Sequence, residues 1–75
     1  MKYFWLVIQV RNHGKCAAHP YRVSDGQNLL ALRTERFYEG EVIAANICES
    51  KKKAYETASA LNRQFSESGV YLYNQ

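Results

Sequence analysis

The stretch SKKKAYETASALNRQFSESG, residues 50–69, has the clearest structural pattern in this chain of 75 residues. Its apolar positions follow a 4-3-4 spacing that places them in one stripe of an α-helix: Ala54, Ala58, Leu61 and Phe65. Ser50 is suited to the N-cap, and Gly69 is suited to the left-handed position that follows a helix C-terminus. The stretch therefore predicts an amphipathic helix from about Lys51 to Ser68, lying on an apolar layer.

The first part of the chain predicts a β-hairpin. Residues 2–11 alternate between two faces and are rich in β-forming residues, which is typical of a strand. The turn sequence Asn12-His13-Gly14-Lys15 leads to a second strand at about residues 16–23. Pro20 cannot donate a ladder hydrogen bond, so it favours an edge position for that second strand.

The middle and the end of the chain predict three further elements. Asn28 is suited to cap a short helical turn that carries the following apolar residues: Leu29, Leu30, Leu32, Phe37 and Tyr38. Residues 41–48 predict a third strand, and because both of its faces are nearly apolar we expect a central strand covered on part of each side. Residues 70–73 predict a final short strand after the helix.

Together these elements predict one α+β domain over residues 1–75. We expect a small four-stranded, mostly antiparallel sheet with one amphipathic helix packed on one face, in the order β-β-short helical turn-β-α-β. The helix is expected on the face that holds Phe4, Leu6 and Ile8. The strand order and the direction of the last strand stay open.

The composition excludes some classes of protein and favours others. Ten Lys and Arg residues against seven Asp and Glu residues give a net charge of +3, a mild preference for anionic partners. The cysteines Cys16 and Cys48 are too few for a disulfide-rich secreted scaffold, so we expect reduced thiols. Since no stretch has the roughly 20 apolar residues that cross a bilayer, we expect a soluble, cytoplasmic protein without membrane contact.

Aromatic side chains supply the candidate binding residues. If the helix covers one face of the sheet, the other face presents a set that suits protein interfaces: Tyr3, Trp5, Tyr71 and Tyr73. An alternative of about equal weight is that the loop from Leu29 to Tyr38 folds over this face. Otherwise the face is expected to bind a protein partner or a second copy of the chain.

Five basic residues are candidates for contact with an anion or a nucleic acid: Lys51, Lys52, Lys53, Arg11 and Arg22. Three lysines at a helix N-terminus oppose the helix dipole, and a phosphate or an acidic partner would offset them. The alternative is a solvated charge run that Glu49 and water compensate. Nucleic-acid binding through sheet aromatics and these cations is the second functional hypothesis.

Metal binding and catalysis find little support. The possible metal ligands are His13, Cys16, His19 and Cys48, but their spacing lacks the paired pattern of a zinc site. The chain has a single aspartate, Asp25, in a predicted turn, and no glycine-rich phosphate motif. We therefore expect no enzymatic activity, no cofactor, no metal and no small-molecule substrate.

Several segments carry a resemblance to known proteins. The strand at residues 42–48, the helix start Lys51-Lys52-Lys53-Ala54, and Asn62 ahead of Gly69-Val70-Tyr71-Leu72-Tyr73 resemble short uncharacterised proteins of bacterial phages and conjugative mobile elements. The resemblance implies a cytoplasmic accessory protein that binds a host or element-encoded protein. The first functional hypothesis is accordingly a small non-enzymatic protein-interaction module, acting as a homodimer, an inhibitor or an adaptor.

Overall fold

The computed structural model describes residues 3–24, 36–37 and 40–73. These residues form β1 (Tyr3–Asn12), β2 (Lys15–Ser24), β3 (Arg36–Phe37), β4 (Gly40–Cys48) and the helix α1 (Lys51–Glu67). The strands make one antiparallel sheet in the order β2-β1-β4-β3. Three of them are long, whereas β3 has two residues and borders only the first two residues of β4. The predicted α+β class is confirmed.

The predicted four-stranded sheet is wrong, because only β2, β1 and β4 are full strands. They make a three-stranded antiparallel sheet with one C-terminal helix, and β3 adds only a two-residue pairing at the start of β4. The final strand predicted at residues 70–73 is reduced to one isolated bridge, a parallel one between Cys16 and Tyr71. Only two hydrogen bonds form there: the Cys16 N–H donates to the Val70 carbonyl, and the Leu72 N–H donates to the Cys16 carbonyl, both at 2.7 Å. The segment therefore lies along the outer edge of β2 without extending the sheet.

The predicted hairpin between β1 and β2 is confirmed, and the backbone angles of its turn agree with the turn sequence. His13 and Gly14 both have positive φ, at 52° and 79°, as a two-residue type I′ turn requires. Asn12 pairs with Lys15, so the turn sets the register of the whole β1–β2 ladder. Since β2 pairs with β1 on one side only, the edge position inferred from Pro20 is also confirmed.

Both ends of α1 have the expected caps. The Ser50 side chain accepts a hydrogen bond from the Lys53 N–H at 3.1 Å, which satisfies one free donor of the first turn. At the other end Gly69 has a φ of 75°, and its N–H donates to the Ser66 carbonyl. The Val70 N–H then donates to the Phe65 carbonyl at 2.8 Å, completing a Schellman motif that turns the chain back toward β2.

The helix covers the opposite face from the one predicted. Its buried residues Ala54 and Ala58 pack with Val7 and Ala18, together with the partly buried side chains of Trp5, Cys48, Leu61 and Phe65. We call this the helix face of the sheet. The second cluster lies on the other face and contains Leu6, Ile8, Val10, Ala17, Val23 and Val42. Because β1 is apolar on both faces, alternation alone could not decide which face the helix covers.

The predicted helical turn concerns residues that are mostly outside the described segments. The helical turn expected from Asn28 to Leu32 lies outside them, whereas Phe37, assigned to that turn, lies in β3. Within the described segments, the one helix that the structure shows lacks the length and apolarity needed to cross a membrane.

Candidate interaction site at the edge of β4

The structure does not bring the four predicted partner-binding aromatics onto one open face. Trp5 lies on the helix face, with its ring centre 5.9 Å from that of Tyr55. Tyr71 packs on the other face, against the cluster around Leu6. Tyr73 is exposed, with its ring 5.8 Å from that of Tyr71. Tyr3 begins β1, and its side chain lies outside the described set.

The predicted cations are divided between the two ends of the sheet. Arg11 lies beside the hairpin turn, opposite Cys16. Arg22 pairs with Trp5 at the far end, where β4 ends and the exposed Lys51, Lys52 and Lys53 begin α1. Lys51 places its Nζ 5.8 Å from the centre of the Tyr55 ring. Arg11 therefore lies apart from the other four cations. Nucleic-acid binding by these residues stays a prediction.

Of the four residues considered as possible metal ligands, the two cysteines lie at opposite ends of the sheet. Cys16 lies at the outer edge of β2 and Cys48 at the end of β4, and both are free thiols. Among the residues described, no three His, Cys, Asp or Glu side chains come together in a group suited to a metal ion.

One edge of the sheet is closed by three separate features. The Asn62 side chain on α1 bonds both backbone groups of Ala18: its Oδ1 accepts from the Ala18 N–H at 2.7 Å, and its Nδ2 donates to the Ala18 carbonyl at 3.0 Å. The segment at Val70 and Leu72 bonds both backbone groups of Cys16. Next along β2, Pro20 has no N–H. These features block the addition of a further strand to β2.

Among the described residues, no strand pairs with the other edge of the sheet, along β4, beyond its first two residues. The N–H and C=O of Ala18 point away from β1, so Ala18 and its partner Gln9 form a non-hydrogen-bonded pair. Because the two kinds of pair alternate along an antiparallel ladder, Gln9, Val7 and Trp5 direct their N–H and C=O toward β4. The β4 residues paired with these three form hydrogen bonds to β1. Ala45 and Ile47 lie between those β4 residues, so they direct their N–H and C=O outward, away from β1. Within the described residues, β3 pairs only with Gly40 and Glu41.

Three apolar side chains on this edge are exposed. Ile47 is 71% exposed and Ile43 is 36% exposed. Ala45 between them is exposed as well, and residues 42–48 contain no charged residue and no proline. An exposed apolar edge without such protection is a template for strand pairing. The expectation of a covered central strand is therefore wrong for this part of β4.

A groove lies beside this edge on the helix face. Because α1 packs mainly over β2 and β1 and only lightly over β4, it leaves an open space of about 420 Å³ above the last part of β4. The floor and the helix wall of the groove are formed by Val7, Gln9, Asn46, Lys53, Thr57 and Leu61. A strand added to β4 would direct every second side chain toward this groove.

A histidine near the closed edge, His19, is expected to make folding stability depend on pH. Burial lowers the pKa of His19 below its ordinary value of 6.5, and the Tyr73 hydroxyl lies 3.3 Å from its Nε2. The unfolded chain therefore binds this proton more readily than the folded chain does. The stability contributed by neutral His19 is complete above the unfolded pKa and is lost as the pH falls from that value toward the folded pKa.

We accordingly expect the melting temperature to fall between about pH 7 and about pH 5, the range in which histidine titrates. Thermal unfolding followed by circular dichroism at a series of pH values measures this change. Replacing His19 with glutamine should flatten the profile over the same range. An unchanged profile in His19→Gln would show that other groups cause the pH dependence.

The edge of β4 was not among the predicted sites. The sequence signal for it is the uncharged run at residues 42–48, which lacks the lysine or proline that usually protects an exposed edge strand. That run also fits a buried strand, and only the structure separates the two cases.

Comparison of the chain with protein-family models, with curated proteins and with solved structures finds no match.

Proposed function

We propose that this protein is a protein-interaction module that binds an extended, apolar segment of a protein partner as an additional strand on β4. The observation that carries the proposal is the contrast between the two sheet edges. The β2 edge is closed at Cys16, Ala18 and Pro20, whereas on β4 Ala45 and Ile47 direct outward backbone groups with which no described strand pairs. This mode of recognition is known as β-augmentation.

The surroundings of the edge define the chemistry of the partner. Backbone hydrogen bonds to Ala45 and Ile47 supply sequence-independent affinity. The side chains of the bound segment alternate between the two faces of the sheet, and one set lies beside Ile47. Apolar residues are favoured in this set, because they cover the largely exposed Ile47 side chain. The other set enters the groove, where Lys53 and Asn46 accommodate a polar group. The preferred segment is therefore β-forming, free of proline and without net charge.

In this role the protein needs no catalytic group, and it acts as a cytoplasmic adaptor or inhibitor or joins copies of itself. Its binding surface differs from the aromatic face expected from the sequence. The change follows from the position of Trp5, which packs beneath α1.

The test uses peptides selected from a displayed library of random linear peptides against the immobilised protein. Replacing Ala45 with proline removes an outward N–H without breaking a bond to β1, just as Pro20 does on β2. We expect the selected peptides to bind Ala45→Pro at least about tenfold more weakly, a change of about 1.4 kcal/mol. Isothermal titration calorimetry measures the affinities.

The matched control is Arg22→Pro, which places a proline at an exposed position on the closed edge. It should leave peptide affinity unchanged, and amide NMR spectra check that both variants are folded. Peptides that bind Ala45→Pro as tightly as the unmodified protein, or a library that yields no binder, would contradict the proposed function.

A further inference from the structure

We infer that the strand added to β4 is β4 of a second copy of this chain, so that two copies form a symmetric dimer with one continuous sheet. The inference rests on the proposed function, and it names the partner. It comes from the length of the open edge, the placement of its apolar side chains and the direction of its backbone groups.

Within the described residues, the edge of β4 with which no strand pairs has a defined length. β3 occupies the position beside Gly40 and Glu41, and β4 ends at Cys48, where the chain bends into α1. An antiparallel pair centred on Ala45 matches residues 42–48 of one copy with residues 48–42 of the other. This register uses the whole open edge of both copies and stops where β3 begins. A shift to either side shortens the pair.

The same register covers the exposed apolar side chains of the strand. It places Ile43 opposite the partner's Ile47, and by symmetry Ile47 opposite the partner's Ile43. These are the large apolar side chains that the described part of the sheet exposes. Cross-strand pairs of β-branched residues stabilise a sheet. Each copy thus supplies what the other copy leaves uncovered, which is the requirement for a self-complementary interface.

Backbone geometry and charge agree with this register. Ala45 directs its N–H and C=O outward, so it can exchange both hydrogen bonds with the partner's Ala45 at the two-fold axis. No charged residue lies within residues 42–48, so no like charges meet inside the pair. Glu49 lies just beyond each end of the pair, and it cannot pair with the partner's Glu41, because β3 already occupies the position beside that residue. Repulsion between copies of net charge +3 is screened by salt.

The two-fold axis of such a pair is perpendicular to the sheet, so both α1 helices lie on the same face. The two grooves then adjoin across the axis, with Asn46 of each copy between them. The closed edges at β2 lie at the two outer sides of the dimer. Growth therefore stops at two copies, because neither outer edge can accept a further strand at Cys16 or Ala18.

Sedimentation equilibrium over a range of protein concentrations tests the inference. We expect the apparent mass to rise from 8.7 kDa toward twice that value and no further. Replacing Ile47 with lysine places a charge opposite the partner's Ile43 and should weaken association at least about tenfold. The control Ser59→Lys adds the same charge on the exposed surface of α1 and should leave association unchanged.

Isotope-filtered NMR on a mixture of labelled and unlabelled protein tests the register. Ala44 and the partner's Asn46 form a non-hydrogen-bonded pair, so a strong contact between their Hα atoms is expected. A mass of one copy at every concentration, association that Ile47→Lys leaves intact, or intermolecular contacts in another register would each overturn the dimer. If peptides still bind and lose affinity in Ala45→Pro, the proposed function stands although the dimer does not.

Discussion

Replacing Asn62 with alanine is expected to lower the free energy of unfolding by about 3 kcal/mol. The Asn62 amide acts as a substitute strand, because it bonds both the N–H and the C=O of Ala18, at 2.7 and 3.0 Å. Ala18 is buried under α1, so water cannot readily replace the lost amide. Leaving a buried backbone donor or acceptor unsatisfied costs about 1–3 kcal/mol for each group.

Urea unfolding of the variant measures this loss. Asn62→Asp retains an acceptor for the Ala18 N–H but sets an oxygen against the Ala18 carbonyl, so its stability is expected not to exceed that of Asn62→Ala. The control is Gln64→Ala, at an exposed position of the same helix. A difference below about 0.5 kcal/mol between Asn62→Ala and Gln64→Ala, the usual range of surface substitutions, would show that the two hydrogen bonds contribute little.

Replacing Trp5 with alanine is expected to cost about 2–3 kcal/mol. The indole is partly buried on the helix face, where it packs with the cluster of Val7, Ala54 and Ala58. Its ring also meets that of Tyr55 at 5.9 Å in a tilted arrangement. Truncating a fully buried aromatic residue costs about 3–5 kcal/mol. Because Trp5 is partly exposed, the cost of its truncation is expected at or below the lower end of that range.

Thermal and urea unfolding of Trp5→Ala test this expectation, with Tyr55→Ala as the comparison. Tyr55 is 50% exposed, so its truncation should cost less than that of Trp5. Equal stability of Trp5→Ala and the unmodified protein would place the indole outside the core. It would also restore Trp5 as a candidate for the binding surface predicted from the sequence.

Local features of the chain were predictable because their causes lie within a few residues. Ser50 and Gly69 mark the two ends of α1, since capping depends only on neighbouring backbone groups. The hairpin followed from the turn sequence Asn12-His13-Gly14-Lys15, because asparagine and glycine tolerate a positive φ. In the structure the two residues with positive φ are His13 and Gly14. The edge position of β2 followed from Pro20, which lacks the donor that an interior strand uses on both sides.

Long-range features were not predictable from the same patterns. Phe4 and Trp5 are neighbours of similar apolarity on opposite faces of β1, so nothing local tells which face receives α1. The prediction of a final strand at residues 70–73 was wrong for a related reason. Tyr71 and its neighbours have strand-forming residues, but the Schellman turn at Gly69 delivers them to an edge where Asn62 already occupies the next pairing position.

The contrast between the two sheet edges has a signal at two places in the sequence, although the edge of β4 was not predicted as a site. Asn62 lies four residues after Ala58, on the apolar side of the helix, and a polar residue there indicates a specific buried partner. The uncharged run around Ala45 indicated a strand but not its exposure. Exposure depends on how far β3 extends and on which strands α1 covers, and both depend on contacts distant in the sequence.

Amide hydrogen exchange, measured by NMR at a dilution where the protein is a single copy, tests the contrast between the two edges most directly. We predict fast exchange at Ala45 and Ile47, whose N–H groups point outward, and slow exchange at Cys16 and Ala18. Slow exchange at all four positions in the single copy would mean that the β4 edge is already covered, and would contradict the account.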